Sequence, residues 1–151
     1  MGLPATLQPG VVIESPSKTL TDAHFLFFSG LTGDSHPIHY DVEYAHRTGM
    51  GKPVAHGLLL AAMTAFGATA ASQSSHGLIF VEQGSRFLKL VAVGDTIRPR
   101  LTVDRIWQDG HRRFIRFATT ILNQRDEVVL DGFHVYLLRE PRPARPSETT
   151  A

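Results

Sequence analysis

The chain has 151 residues, 42% hydrophobic and 19% charged, the profile of one folded domain with a real core rather than of a disordered chain. Its formal charge of +1 offers no bulk attraction to nucleic acid or to an anionic membrane. It has no cysteine, which excludes disulfides, thiolate metal sites and cysteine nucleophiles.

The opening MGLPATLQPGVVIESPSK lacks a basic segment followed by an apolar core. No signal peptide is expected, and a reducing cytoplasm is the expected compartment. Residues 11–14 form a short β-branched run, a first strand. Thr21 or Asp22 offers a helix start before AHFLFFSGLTG, with Phe25, Phe28 and Leu31 three apart on one face and Gly30 and Gly33 ending it. A helical turn is expected over residues 42–47. The most apolar stretch, residues 57–71, is too short for a membrane span and holds Thr64 and Thr69, so it is expected as a buried helix within residues 56–72.

Strand patterns follow. Residues 78–81 and 86–90 are apolar runs flanking Gly84, where a bulge or bend is expected. Ile97, Leu101, Val103 and Trp107 share one parity, with Arg98, Arg100, Thr102 and Asp104 on the other, which is a half-buried strand. Asp109-Gly110 supplies a hairpin turn, and Ile115, Phe117, Thr119 and Ile121 carry the next inner face. NQRDE makes another turn before a last strand at residues 128–138. The tail PRPARPSETTA has almost no apolar surface and is expected to be disordered over residues 141–151, leaving residues 1–140 as a single domain. One apolar helix followed by mostly antiparallel, one-faced strands points to a curved sheet wrapped around that helix. Its edge strand and remaining apolar surface favour dimerisation.

The segment GLTGDSHPIHYD, residues 30–41, concentrates two carboxylates and two imidazoles where neither helix nor strand is favoured. Pro37 fixes its own φ and pushes His36 toward extended geometry, stiffening the loop between Asp34 and His39. Alone, such a pattern is ordinary turn chemistry. A preorganised acid–base pair able to grip one water has the same requirement for stiffness. A second feature strengthens that reading: PVAHGLLLAAM sets His56-Gly57 at the start of the apolar helix. Gly57 allows close approach to the main chain, and the first amides of a helix are free donors of positive character, suited to a polarised carbonyl. Asp34, His36, His39 and Asp41 are also metal-ligand types, but they lack the helical spacing of H-E-x-x-H, and no metal is expected. Asp41 and Tyr44 are expected to anchor the following turn. Phe25, Phe28, Met63 and Phe66 are expected in the core.

FFSGLTGDSHPIHYD, PVAHGLLL and RFLKLVAVGDTI, in this order and spacing, resemble the MaoC-like dehydratase, or (R)-specific enoyl-CoA hydratase, family over residues 21–138. The resemblance implies an α+β hot-dog fold, a long central helix wrapped by a curved antiparallel sheet, in homodimers or higher homo-oligomers. It implies Asp34 and His39 as the catalytic pair and the Gly57 amide as the oxyanion donor. The implied reaction is reversible hydration of a trans-2-enoyl-CoA to an (R)-3-hydroxyacyl-CoA, without a cofactor, coenzyme A being part of the substrate. His56 is expected to bind substrate by orienting the helix entrance, and Arg86, Lys89, Arg98 and Arg100 are candidates for the coenzyme A phosphates. Relatives commonly carry Asn where this chain has His36, which is expected to hold the loop. A hot-dog thioesterase and a non-catalytic acyl-CoA binding module remain as alternatives.

Overall fold

The computed structural model describes residues 7–74 and 77–139, so the expected tail at residues 141–151 lies outside the described residues. The elements in chain order are β1 (Val12–Glu14), β2 (Lys18–Thr19), α1 (Asp22–Thr32), α2 (Val42–Arg47), α3 (Gly57–Met63), β3 (Leu78–Phe87), β4 (Thr96–Asp109), β5 (Arg112–Leu122) and β6 (Val128–Leu138). The strands pair antiparallel in the order β1-β4-β5-β6-β3, with β2 also on β4. No helix among the described residues is long and apolar enough to cross a membrane.

Alternation builds the inner face of the sheet. Ile97, Leu101 and Val103 of β4 are buried, as are Ile115, Phe117, Thr119 and Ile121 of β5. Leu20, Phe25, Leu59, Leu60 and Ala61 close one half of the core against Ile97, Ile121 and Leu130. Phe66 fills the other half with Leu101, Phe117 and Tyr136. Phe28 and Met63 sit at the margin of the first cluster.

Three local expectations are corrected. The helix expected through residue 72 stops at Met63, giving way to 3-10 turns at Phe66–Ala68 and Ala70–Ser74. Thr64 and Thr69 turn their hydroxyls back onto the Ala61 and Phe66 carbonyls, both at 2.7 Å, which offers the backbone an alternative to the helical ladder. The central helix is therefore seven residues long. Leu31 is 75% exposed, whereas Phe25 is fully buried. Residues spaced by three drift round a helix, so six positions on, the stripe has turned about 120° away from the core.

The edge strand β3 is continuous, and its irregularity falls between Phe80 and Glu82 rather than at Gly84. Gly84 instead makes room for a neighbour, since a Cβ there would come within 2.6 Å of the Phe133 ring on β6. Trp107 leaves the inner parity because β4 shifts register between Val103 and Arg105. One extra residue flips every side chain beyond it. Ile106 thus joins the core, and Trp107 stacks on Phe114 at 5.2 Å under the Arg105 guanidinium.

Candidate active site

The segment between α1 and α2 is held at both ends. Gly33, with φ of 80°, ends α1 and returns its amide to the Ser29 carbonyl. Only a residue tolerant of the left-handed region ends a helix this way without strain. Asp41 caps α2, its carboxylate accepting from the Tyr44 amide at 2.9 Å. Between them Pro37 opens a 3-10 turn, Pro37–His39, and His36 is extended as the proline requires. His36 Nδ1 accepts from the Ile38 amide at 3.3 Å, and its ring meets Tyr44 edge-on. His36 thus holds the loop as expected.

Three hydrogen bonds stitch this loop to the segment entering α3. The Val54 amide donates to the Ile38 carbonyl at 3.1 Å, and His39 Nδ1 donates to the Val54 carbonyl at 2.7 Å. His56 Nε2 donates to the Asp34 carbonyl at 3.1 Å and lies 3.1 Å from Ser29 Oγ on α1. The acidic loop and the glycine-marked tip of α3 are therefore neighbours within one chain. Asp34, His39 and His56 each present a titratable atom within 4.8 Å of the others.

Both tautomers follow from these partners. A carbonyl only accepts, so His39 carries its hydrogen on Nδ1, and in the neutral ring Nε2 is the bare nitrogen. By the same logic His56 is protonated on Nε2, and its buried Nδ1 has no partner. Burial holds the His56 pKa below its ordinary value of 6.5; the nearby His39 ring adds to this, while the Asp34 carbonyl and carboxylate oppose it. A neutral His56 is the form that stacks against another imidazole without repulsion.

The His56 side chain, expected to bind substrate, is thus buried, only 2% exposed. The trio offers the ligand types of a cation site with His56 in place of the His36 and Asp41 considered from sequence. Its Nε2, however, presents a hydrogen and not a lone pair to Asp34. Gly57 begins α3, where no preceding turn supplies an acceptor for its amide. A Cβ on Gly57 would sit 3.2 Å from the Phe87 ring, so the glycine keeps the passage beside the amide clear.

The basic residues lie elsewhere. Arg86 pairs with Asp131 at 2.6 Å, Lys89 with Glu127, Arg98 with Asp126 and Arg100 with Glu14. The Glu127 carboxyl is pulled down to about 2, first by the Asn123 amide and then by Lys89 and Arg125. None of these cations contacts Asp34, His39 or His56 among the described residues.

A pocket of about 430 Å³ opens along α3, lined by Leu58, Ala61, Ala62, Ala65, Phe80, Gln83, His134 and Tyr136. Its small alanines make the room, and its volume is that of a small-molecule site. Sequence reasoning does not single out His134 or Tyr136. Both stand on the inward parity of β6 with Leu130, where an imidazole interrupts an apolar row.

Comparison with known proteins shows the family. A family model described as "MaoC like domain" matches residues 6–123. An (R)-specific enoyl-CoA hydratase of Rhodospirillum rubrum is 30% identical over 118 residues, covering 78% of this chain and 79% of the relative. A 3-hydroxybutyryl-CoA dehydratase of Methylorubrum extorquens is 31% identical over 115 residues, covering 76% and 71%. The solved (R)-hydratase from A. caviae involved in PHA biosynthesis superposes with a TM-score of 0.78 at 26% identity, covering 88% of this chain and 98% of that one.

Proposed function

The chain belongs to the MaoC-like domain family, has its hot-dog fold, and is a hydro-lyase of the enoyl-CoA hydratase and dehydratase type; on that footing we propose that it adds water reversibly to trans-2-enoyl-CoA, giving (R)-3-hydroxyacyl-CoA, through Asp34, His39 and the Gly57 amide. The observation that carries the residue assignment is the stitching of the Asp34–His39 loop onto the residues that precede Gly57. It is supported by the bare Nε2 that the Val54 carbonyl leaves on His39.

Water needs two acceptors to be held with its lone pair forward. The Asp34 carboxylate and His39 Nε2 supply them. As the water oxygen bonds to C3, the C2–C3 π electrons move toward the thioester, and negative charge grows on its carbonyl oxygen. The Gly57 amide donates to that oxygen, a contact whose loss costs roughly 3 kcal/mol of transition-state stabilisation in comparable sites. Asp34 takes the proton the water gives up and returns it to C2, while His39 fixes the water and shares in the transfer. No cofactor or metal is required by these steps. Protic groups placed in this way contribute about 10²–10⁴-fold each in rate.

The acyl chain lies along α3 in the pocket beginning one residue past Gly57, at Leu58. Arg86, Lys89 and Arg98, the candidates for the coenzyme A phosphates, each already pair with a carboxylate. The protein works as a homodimer: β3 is an open edge, and Ile79, Phe80, Val81, Phe87, Leu88 and Leu90 are all exposed along or just after it. Its working place is the cytoplasm.

Purified protein mixed with crotonyl-CoA tests the reaction. The enoyl absorbance falls without release of free thiol, and chiral analysis finds the (R)-3-hydroxy product. Thiol release would make it a thioesterase, and binding without turnover a non-catalytic module.

A further inference from the structure

His134 and Tyr136 are, with Gln83 opposite His134, the polar residues of a mostly apolar wall, and neither is used by the hydration chemistry. His134 is 3% exposed and Tyr136 6%. Both line the pocket along α3, with ring centroids 6.2 Å apart. The hydrogen bonds around them can be assigned atom by atom. The Thr64 hydroxyl donates its one hydrogen to the Ala61 carbonyl at 2.7 Å. Its oxygen must therefore accept from His134 Nε2, 3.1 Å away, which fixes the Nε2-protonated tautomer. Nδ1 is then a bare acceptor, buried and without a partner. Tyr136 presents the opposite deficit. Its oxygen accepts from the Phe66 amide at 3.2 Å, and its own hydrogen has no acceptor among the described residues.

A buried acceptor left unmet is costly, and a fully apolar acyl chain would leave it so. Burial also keeps the His134 ring neutral by lowering its pKa, so the ring attracts a donor rather than an anion. One missing acceptor partner and one missing donor partner, on residues two apart along β6 that line the same pocket, are the complement of a hydroxyl group, which can accept from Tyr136 while donating to His134. Phe80 on the edge strand rests its ring 5.0 Å from His134 and 5.1 Å from Tyr136 and so covers the pair.

We propose that His134 and Tyr136 are specificity-determining residues that select acyl thioesters carrying a hydroxyl group on the chain beyond the reacting carbons. This rests on the assignment of the pocket to the acyl chain made above. A hydroxyl satisfies both residues at once, whereas a carboxylate brings a charge that a neutral acceptor repels and a methyl leaves both unmet. Sites with a dedicated hydrogen-bond partner discriminate strongly against analogues that lack the group.

Calorimetric binding of octanoyl-CoA and of octanoyl-CoA thioesters bearing one hydroxyl at successive carbons beyond C4 tests this on the full chain. Saturated thioesters are not hydrated, so the titration reads the pocket independently of the reaction. At least one hydroxylated thioester should bind about tenfold tighter than octanoyl-CoA, the worth of one net hydrogen bond. His134→Leu should erase that preference, and Tyr136→Phe should reduce it. Because either variant can disturb the core, nitrogen-15 histidine labelling of the unsubstituted protein gives a second measure: the His134 Nδ1 resonance should be that of an unprotonated nitrogen and move upfield with the hydroxylated thioester only. Binding without preference, or a preference untouched by His134→Leu, overturns the proposal and leaves the hydratase function standing. No binding of any thioester overturns both.

Discussion

His39 lies flat on His56, with ring centroids 3.6 Å apart and planes 19° from parallel. The lower ring also donates to the Asp34 carbonyl and directly precedes Gly57. One buried imidazole therefore sets the height of His39, the position of the Asp34 main chain and the start of α3. The three groups assigned to catalysis are thus spaced by one buried residue.

His56→Leu keeps the bulk beneath His39 but removes the donor to Asp34. Stability should fall by about 1–3 kcal/mol for the unpaired carbonyl, measured as a shift in urea midpoint. In protein that remains folded, turnover should fall by about 10-fold or more through kcat with little change in KM, because the group acts by placement. An unchanged kcat would remove His56 from its positioning role.

Acidification should destabilise the protein through His56 and His134. Burial lowers both pKa values in the fold, so the unfolded chain takes up protons near the ordinary histidine value of 6.5 that the folded chain refuses. Their contribution is complete above that value and declines as pH falls below it toward the folded values. Melting temperatures recorded from about pH 8 down to about pH 5 should drop across this window. His134→Leu should show a shallower drop than the unsubstituted chain.

Two glycines on the paired strands β3 and β6, Gly84 opposite Phe133 and Gly132 opposite Ser85, should differ in tolerance. A Cβ on Gly132 would run into the Gly84 carbonyl, which is backbone, whereas a Cβ on Gly84 meets the movable Phe133 ring. Gly132→Ala should therefore destabilise more than Gly84→Ala, by about 1–3 kcal/mol at the upper end of overpacking effects. Denaturation midpoints of the two variants, compared side by side, check the order.

Much of this was legible in the sequence because local chemistry and global fold agree. Alternation in β5, the proline-stiffened loop and the Asp41 cap each leave a mark within a few residues, and the structure keeps all three. What was not legible depends on register. A single shift after Val103 sent Trp107 outward, and hydroxyls turning back on their own chain stopped α3 at Met63, neither of which leaves a periodic signature. In the site, Asp34, His39 and Gly57 carry a recognisable pattern. The Val54 carbonyl that orients His39 does not, since any residue supplies a carbonyl. His134 was not singled out, since only the fold puts it beside Thr64, 70 positions away.

The rate of crotonyl-CoA hydration by Asp34→Asn and by His39→Ala, measured on variants shown to be folded, bears most directly on the shared water between those two groups. Asp34→Asn removes the carboxylate that takes the proton, His39→Ala removes an acceptor for the water, and each should slow turnover by at least about 10²-fold. Full turnover in both variants would mean that the water is held and activated elsewhere.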